Sequence, residues 1–225
     1  MTPTISIIVP ALDEAEGIVA ALGALAPLRA ERAEVIVVDG GSGDATVARC
    51  AGLADRVLGA PRGRARQMNA GAALARAPVL LFLHADTALP AGGVAAVLAA
   101  IERGASWGRF DVRIDGRASL LPVIATLMNW RSRATGIATG DQAIFVRADR
   151  FREVGGFPDQ PLMEDIELST RLKRIAAPAC LRERVTTSGR RWEQRGVWHT
   201  ILLMWRLRWG YWLGTPADRL AKAYR

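Results

Sequence analysis

Three short apolar runs of the chain each lead directly into a loop that carries acidic side chains. The run ISIIV is followed by Asp13 and Glu14, EVIVVD ends in Asp39, and VLLFL precedes His84 and Asp86. Carboxylate oxygens are hard ligands that suit Mg²⁺ or Mn²⁺. An acid that closes a strand can also accept hydrogen bonds from a base N–H or from ribose hydroxyls. The pattern predicts a site that combines a divalent cation with a polar small molecule.

A basic segment, APRGRARQMNAG, precedes the third of these runs. Arg62 and Arg64 supply cations for a diphosphate, Asn69 adds a polar contact, and Asp86 is placed to hold a Mg²⁺ or Mn²⁺ that bridges the phosphates. Two common nucleotide motifs are excluded, because DGGSGD lacks the Gly-Lys-Ser/Thr ending of a Walker A loop and no Gly-x-Gly-x-x-Gly follows the first run. These residues predict a site for a nucleotide diphosphate and its metal.

Each of these residues also has a plainer interpretation. Asp39 is suited to capping a turn, and Asp13 and Glu16 have the spacing of a helix N-cap and its capping-box partner. Arg64 and His84 fit a solvated helix and an ordinary polar loop. The order of the residues, each at the end of an expected strand, favours the nucleotide site over this set of coincidences.

The alternation of apolar runs and Ala-rich segments indicates which elements position these residues. It predicts strands over 5–9, 34–39, 56–60 and 79–83, separated by helices. Continuous apolar strands between helices indicate an α/β fold with an open, mostly parallel Rossmann-like sheet covered on both faces. Ligands bind such sheets beyond the carboxyl ends of the strands, where the strand order reverses. If strands one and four are neighbours there, the acidic loops converge.

The second half of the chain is less regular. Its pattern predicts strands over 107–114 and 142–147 and helices over 119–133 and 163–176. No internal repeat or low-complexity linker divides the sequence. We therefore expect one domain over 1–225, with a nucleotide-binding lobe over 1–115 and a second lobe over 116–225 that ends in a helical extension.

The composition limits the partners and the compartment. The chain has 225 residues, is 50% hydrophobic and carries a formal charge of +8, with Lys173 and Lys222 its only lysines. Such a basic chain is suited to nucleic acid, an acidic membrane surface or a phosphorylated small molecule, although scattered surface arginines are the ordinary alternative. Cys50 and Cys180 have no disulfide or metal spacing, and the N-terminus has no signal-peptide pattern, so we expect a cytoplasmic protein.

Six segments, read in order, resemble the family 2 glycosyltransferases of GT-A fold over residues 4 to about 175: SIIVPALDE, VIVVDGGSGDAT, RQMNAG, LLFLHADT, GDQAIFVRADRFREVGGFP and MEDIEL. The resemblance implies an inverting enzyme that moves a sugar from a nucleotide diphosphate, with UDP the expected nucleotide, to a hydroxyl acceptor. It implies a metal at Asp86, the last residue of the Asp-x-Asp motif, and a catalytic base at Asp165. It implies a donor site formed by Ala11, Asp13, Glu14, Asp39, Arg62, Arg64, Asn69, His84, Ala85 and Asp86.

Two positions depart from the family pattern. His84 stands where the first acid of Asp-x-Asp is expected, although a neutral imidazole can still accept a hydrogen bond or ligate a metal. Gly40 stands where a second acid usually follows Asp39, which affects how the ribose is held. The segments HAD, GRARQMNAGAALA and RRWEQRGVW most resemble a bacterial subgroup linked to arsenosugar biosynthesis and radical-SAM neighbours.

The role of catalytic base that is implied for Asp165 requires surroundings that raise its pKa. Inverting transfer needs a carboxylate that takes the proton of the acceptor hydroxyl, and an ordinary Asp pKa near 3.9 is too low for an efficient base. Asp165 is therefore expected where burial raises its pKa. An acid-rich start of a helix, favoured by the helix dipole, is a compatible structural interpretation of MEDIEL.

The C-terminal region carries a different pattern, a helix that is apolar nearly all round. One stripe repeats at helical spacing: Trp198, Leu202, Trp205, Trp209 and Trp212. Three interpretations remain open: packing on the catalytic lobe, an oligomer interface, or peripheral contact with the inner face of a membrane, where Trp and Arg are favoured. The last interpretation would suit a lipid-linked acceptor, whereas a small soluble acceptor is equally compatible with the sequence.

Two other functions compete with sugar transfer. A sugar-1-phosphate nucleotidyltransferase would need an N-terminal Gly-rich loop with a cation for the triphosphate, and PALDEAEG is acidic instead. A non-enzymatic nucleic-acid-binding module would need Arg interleaved with exposed aromatics on one face. Most aromatics here fall in apolar helices, so no nucleic-acid partner is expected.

Overall fold

The apolar runs become the strands of one eight-stranded sheet in the computed structural model, which describes residues 2–224. In chain order, β1 to β8 are Ile5–Ala11, Ala33–Asp39, Arg56–Gly59, Val79–Phe82, Thr87–Ala88, Trp107–Asp115, Phe145–Arg147 and Ala179–Ser188. The helices α1 to α10 are Ile18–Ala30, Thr46–Arg49, Arg64–Leu74, Gly93–Glu102, Leu121–Thr135, Ala148–Glu153, Glu164–Lys173, Arg190–Arg195, Val197–Trp212 and Ala217–Tyr224.

The strand order, β3-β2-β1-β4-β7-β6-β8-β5, brings the predicted loops to one edge. β1 pairs in parallel with both β2 and β4, so the first and fourth predicted strands are neighbours, which is the condition for the acidic loops to converge. β7 runs antiparallel to β4 and β6, whereas β6 and β8 are parallel. The carboxyl ends of β1, β2 and β4 therefore open towards one crevice.

Strand side chains alternate between two apolar layers, which is the period-2 pattern of a sheet covered on both faces. Ile7 and Val35 belong to the core that includes α1, whereas Ile8 and Ile36 belong to the core that includes α3. All seven residues of β1 and of β2 are buried. The first half therefore follows the prediction from its continuous apolar runs.

The second half differs from the prediction in two respects. β7 begins at Phe145 because Gly140–Gln142 form a 3₁₀ turn, in which Thr139 and Gln142 make a reciprocal capping box. β8 was not predicted, because its exposed and buried residues do not form a continuous apolar run. It completes the sheet by pairing with β6 and β5, and Thr87 lies opposite Thr187 across the latter pair.

A buried carboxylate, Glu34, ties β2 to β1 and to the chain before β4. It is 2% exposed and accepts hydrogen bonds from the Ser6 hydroxyl at 2.7 Å, the Arg76 backbone N–H at 3.0 Å and Arg76 Nε at 2.7 Å. Burial alone would raise its pKa, but these hydrogen bonds and the Arg76 charge lower the pKa below its ordinary value. The ionised form is therefore the one that the fold stabilises.

Replacing Glu34 with alanine is expected to lower the free energy of unfolding by about 2–3 kcal/mol, because it removes charge-assisted hydrogen bonds from a buried site. In the unmodified protein, the contribution of Glu34 is present above pH 4.5 and is lost as the pH falls through the lowered folded-state pKa. Urea titrations at neutral and acidic pH measure both effects. A Glu34→Ala loss that is equally large at pH 3 would contradict the ionic role.

Candidate active site

Asp39, at the end of β2, organises the turn that comes after it. It is 7% exposed, and its carboxylate accepts hydrogen bonds from Gly41 N at 2.9 Å, from Ser42 N at 3.0 Å and from the Ser42 hydroxyl. The turn-capping interpretation is therefore confirmed. A carboxylate has about four acceptor positions, so this role leaves room for one further donor such as a base N–H.

The loops after β1 and β2 are joined by side chain to backbone hydrogen bonds. Asp13 Oδ1 accepts from Gly43 N at 2.8 Å, Glu14 N donates to Thr46 Oγ1 at 2.8 Å, and Asp44 accepts from Ala15 N at 3.1 Å. The prediction that Asp13 caps the first helix was wrong: α1 begins at Ile18, and its N-cap is Gly17 without a side-chain cap. The Asp13 carboxylate instead binds the loop after β2, because the parallel pairing of β1 and β2 places the two loops side by side.

Ala11 and Gln67 form the floor between these loops. The Ala11 carbonyl accepts from Gly40 N at 2.9 Å and from Gln67 Nε2 at 2.8 Å, and Gln67 also donates to Val38 O at 2.8 Å. Gln67 is buried on α3, and the sequence pattern did not single it out. It fixes the ends of β1 and β2 relative to the helix that carries Arg64.

The predicted basic residues lie at the start of α3 but have different surroundings. Arg64 is the first residue of the helix and Arg62 lies in the exposed turn before it. Burial raises the pKa of Glu14 and of Glu164, and the charge of Arg64 opposes both rises. The same charge contributes to the lowered pKa of Asp141, so Arg64 interacts electrostatically with three acids of the site. The helix N-terminus and its arginine together favour a bound anion.

Asn69, also on α3, has a contact that its predicted role did not include. Its amide donates to Phe157 O at 2.8 Å and accepts from Phe157 N at 3.0 Å, as a backbone strand partner would. Nearby, Arg66 forms an exposed ion pair with Asp159 at 2.7 Å. Asn69 therefore holds the segment that leads into α7. Its predicted contact with the nucleotide-sugar donor would have to form while these two hydrogen bonds are kept.

The HAD segment turns sharply after β4. His84 and Ala85 are buried, whereas Asp86 is exposed at the mouth of the crevice. His84 Nδ1 lies 3.5 Å from Asp141 Oδ1. Burial would raise the pKa of Asp141, but the His84 hydrogen bond and the charges of His84, Arg64 and Arg191 lower it. Asp141, which the sequence pattern did not indicate, thus remains an anion that holds His84 in place.

The acid pair at the start of α7 faces the same crevice. Asp165 accepts hydrogen bonds from Gly140 N and Ile166 N, both at 2.8 Å, and burial raises its pKa as its predicted role requires. Burial, reinforced by the charge of Asp165, raises the pKa of Glu164 to about 7. Both acids line a small cleft with Arg64, His84 and Gly140. Glu164 therefore titrates close to neutral pH, and the raised pKa of Asp165 makes that carboxylate a stronger base than an exposed aspartate.

Three arginines from the second half of the chain add positive charge to the surroundings of the acids. Arg190 Nη2 lies 3.6 Å from Glu14 Oε1, while burial and the charge of Arg64 lower the pKa of Arg191. Burial also lowers the pKa of Arg131, whose Nε and Nη2 are buried without a hydrogen-bond partner among the described residues. Sequence patterns did not assign roles to these three arginines, although RRWEQRGVW contributed to the family resemblance.

The backbone around the crevice contains unusual conformations. Asp13, Ala143 and Met163 have φ angles of 53°, 47° and 66°, in the left-handed region that favours glycine. Met163 is the N-cap residue of α7, immediately before Glu164. One loop on the donor side and two segments on the side of the acid pair therefore depend on surrounding contacts for their shape.

The donor groups present fit a divalent cation that a bound diphosphate helps to hold. Among residues 2–224, no group of three or more His, Cys, Asp or Glu could hold a metal ion by itself. Mg²⁺ commonly uses one or two carboxylates, several waters and substrate phosphates. Asp86 supplies an exposed carboxylate whose only hydrogen bond in the described chain is a long one from Thr87 Oγ1, at 3.4 Å. The site therefore suits a metal that arrives with its nucleotide.

Solved structures share this fold. TarS 1–349 from S. aureus in complex with UDP-GlcNAc has a TM-score of 0.66 and 19% identity, over 82% of this chain and 58% of that chain. Glucosyl-3-phosphoglycerate synthase from Mycobacterium tuberculosis in complex with Mn²⁺, UDP and phosphoglyceric acid has a TM-score of 0.62 and 19% identity, over 82% and 69% of the two chains. At these identities the likeness concerns the fold, and it confirms the predicted GT-A class.

This chain spans about 60% of the length of TarS 1–349. These structures are too distant in sequence to show the family, which has to be shown by the sequence itself. No curated protein is similar enough to the chain to be a significant match. The family model for Glycosyl transferase family 2 matches residues 6–152. This range is more than half of the chain and contains every predicted donor-site residue, so the chain belongs to glycosyltransferase family 2.

Proposed function

We propose that this protein is an inverting glycosyltransferase that moves a sugar from a UDP-sugar to a hydroxyl acceptor. The observation that carries the proposal is the convergence of two groups on one cleft. Arg64, at the start of α3, lines the cleft together with Glu164 and Asp165. The charge of Arg64 also reaches Glu14, which in turn lies within electrostatic range of Asp86 on the donor side. A nucleotide site faced by a desolvated carboxylate is the arrangement that single-displacement sugar transfer requires.

The donor side offers a contact for each part of the nucleotide. In this proposal Asp39 accepts a base N–H, and the loop containing Ala11, Asp13 and Glu14 borders the base and ribose. Arg62 and Arg64 at the start of α3 bind the diphosphate, with the helix N-terminus adding to their field. His84, Ala85 and Asn69 border the sugar-phosphate region. Residues 1–115 thus form the donor lobe, and residues 116–225 form the acceptor lobe.

The reaction is a single displacement at the anomeric carbon. The acceptor oxygen bonds to this carbon while the bond to the phosphate oxygen breaks, and the electron pair leaves with UDP. The acceptor proton passes to Asp165, whose raised pKa makes it a stronger base than an exposed aspartate. Arg64 and Arg191 lie within electrostatic range of each other, and in this proposal they stabilise the charge on the departing diphosphate.

A Mg²⁺ or Mn²⁺ held by Asp86, with Glu14 and His84 nearby, would supply further positive charge to the diphosphate. Glu14 is suited to such a neighbour, because burial raises its pKa and the charge of Asp86 raises it further, against the opposing effect of Arg190. A cation between the two acids would remove this repulsion. The acidic wall therefore favours the nucleotide when it arrives with its metal.

The finer assignments rest on the sequence segments. From the segments HAD, GRARQMNAGAALA and RRWEQRGVW we infer that the protein belongs to the subgroup linked to arsenosugar biosynthesis and radical-SAM neighbours. Cys50 and Cys180 are both free, as we expect for a protein of the reducing cytoplasm. The acceptor hydroxyl belongs to either a small molecule or a lipid-linked one.

UDP is expected to raise the melting temperature only when Mn²⁺ or Mg²⁺ is present. At a concentration one hundred times Kd the rise should be about 5–10 °C, because ligand binding to the folded state adds about 2.7 kcal/mol. Thermal melts with UDP, with and without EDTA, measure it, and the metal alone is the control. Equal stabilisation by UDP in EDTA would contradict the role of the metal. Stronger stabilisation by UTP than by UDP would favour the nucleotidyltransferase instead.

A further inference from the structure

One face of α9 leaves large apolar side chains in solvent along its whole length. We call this face the tryptophan stripe; its residues are 63–75% exposed and are Trp198, Leu202, Trp205, Trp209, Trp212 and Leu213. At about 100° per residue they occupy a sector of about 100° on the helix. Isolated apolar residues on a surface are ordinary, but a continuous patch of this kind marks an interaction site.

Folding does not need this stripe, because the opposite face of α9 makes the packing contacts. Leu207 is 1% exposed and lies in an apolar cluster with Leu162, Met163 and Leu220. Val197 and Ile201, near the start of α9, pack against the main core. The core-packing interpretation therefore accounts for the inner face of the helix and leaves its outer face without a partner.

The charged side chains of α9 itself are all of one sign. Arg206 and Arg208 border it on opposite sides of the helix, and α9 contains no acidic residue. If two copies packed stripe against stripe, these arginines would approach one another with no acid on α9 to pair with. A cationic rim around an aromatic face is instead complementary to an anionic surface.

Single-stranded nucleic acid and a lipid surface are two anionic partners with flat or extended surfaces, and the composition of the stripe favours the lipid surface. Single-stranded nucleic acid is bound in a positively charged groove that tracks its backbone. The α9 surface is convex, has its arginines only at the rim, and includes the aliphatic Leu202 and Leu213. Trp with Leu at the centre and Arg at the edge matches the boundary between lipid headgroups and acyl chains.

We propose that the tryptophan stripe binds an anionic membrane surface, with α9 lying in the plane of the interface. The Trp rings then lie at the level of the headgroups, and Arg206 and Arg208 contact lipid phosphates. Within residues 2–224, no helix is long and apolar enough to cross a bilayer. The proposed contact rests on α9 alone and not on the proposed sugar transfer.

The inner face of α9 connects this surface to the acid pair. Met163, in the cluster with Leu207, immediately precedes Glu164, and the Tyr211 hydroxyl lies 3.5 Å from Glu167 Oε2 on α7. If the proposed function holds, a membrane bound at the stripe lies on the side of the protein that carries the base. This placement favours a hydroxyl acceptor carried by a lipid.

Sedimentation with vesicles of equimolar phosphatidylglycerol and phosphatidylcholine tests the membrane contact. The unmodified protein should sediment at low salt with a blue shift of Trp fluorescence, and it should bind pure phosphatidylcholine more weakly. The double variant Trp205→Ser/Trp209→Ser should lose at least about tenfold in partitioning, since each Trp contributes a large apolar surface. Trp130→Ser, which removes a Trp that is 69% exposed on α5, is the matched control and should bind normally.

The electrostatic part is tested separately. Arg206→Gln/Arg208→Gln should reduce partitioning by roughly 30-fold at low salt and much less at high salt, because each basic residue near an anionic surface strengthens binding by about fivefold. Arg103→Gln/Arg152→Gln makes the same change of net charge elsewhere and should have little effect. Equal losses in the two double variants would overturn the assignment of the contact to α9.

Other outcomes also contradict the proposal. The folded protein remaining in the supernatant at low salt would overturn it, as would an equal loss of binding in Trp130→Ser. The proposal would also be wrong if the protein did not bind vesicles but dimerised through the stripe in analytical ultracentrifugation, since the partner would then be a second copy of the chain. A gel shift with single-stranded DNA that depends on the stripe, in a protein that does not bind vesicles, would assign the stripe to nucleic acid.

Hydrolysis of UDP-glucose should be unchanged in the Trp double variant. If the unmodified protein binds vesicles but hydrolyses no UDP-sugar, the proposed function fails and the membrane contact stands.

Discussion

Replacing Asp165 with asparagine is expected to lower the rate of sugar transfer by at least about 10²–10⁴-fold, which is the usual contribution of a general base. UDP affinity should remain nearly unchanged, because the side chain lies at the start of α7 and not in the loops that we propose to border the nucleotide. The Asn oxygen can still accept from Gly140 N, as Asp165 Oδ2 does at 2.8 Å, so the turn at 140–142 should be retained. Product formation from a UDP-sugar and titration calorimetry with UDP measure the two quantities.

Glu164→Gln is the matched control, because it removes the neighbouring acid and keeps its shape. In the unmodified protein the rate should rise with pH as Asp165 loses the proton that burial helps it to retain, and the ionisation of Glu164, whose pKa is about 7, should influence this rise. The Gln variant should keep substantial turnover, with this rise moved to lower pH. If Asp165→Asn stays active and Glu164→Gln does not, the base is Glu164.

Replacing Gly140 with alanine is expected to disturb both sides of the cleft at once. A Cβ atom at this position would lie 2.5 Å from Cε1 and from Nε2 of the buried His84 ring. Overpacking of this kind costs about 1–3 kcal/mol of stability. Because Gly140 N also donates to Asp165, the shift should displace the base, and a displacement of about 1 Å can cost about 10²-fold in rate.

Gly23→Ala provides the control for the change of residue type. Gly23 lies inside α1 and no atom lies within 4 Å of a Cβ built there, so alanine should stabilise the helix by about 0.5–1 kcal/mol and leave transfer unchanged. Thermal melts and initial rates of the two variants compare them directly. An unaltered rate in Gly140→Ala would show that the turn at 140–142 does not position the base.

Local sequence pattern was sufficient for the donor half of the fold. β1 and β2 are buried along their whole length, so their apolar runs were sufficient to predict both strands, while the acids at their ends stay a prediction for the nucleotide site. The pairing of β1 with β4 meets the condition on which the convergence of the acidic loops depended. Predictions succeeded where one segment alone determines its structure.

Contacts between distant segments explain the failures. Asp13 has the spacing of a helix cap, but a backbone N–H thirty residues away, at Gly43, takes its carboxylate. Arg190 reaches Glu14 from the far end of the chain, and no local period reveals that contact. Arg131 occupies an ordinary position in a helix, yet two of its nitrogens are buried. Such partners are set by topology, which sequence periodicity does not encode.

The left-handed backbone at Asp13, Ala143 and Met163 has a thermodynamic cost. Each such non-glycine residue stores about 1–2 kcal/mol of strain, which is a considerable share of the roughly 5–15 kcal/mol by which a typical domain is stable. Residues hold these conformations only where surrounding contacts enforce them, and Met163 is held by its cluster with Leu207 on α9. The protein thus gives up stability to shape its cleft. Glycine at position 163 would relieve this strain but would also remove a buried side chain from the cluster, which costs about 2–5 kcal/mol, so both thermostability and turnover should fall.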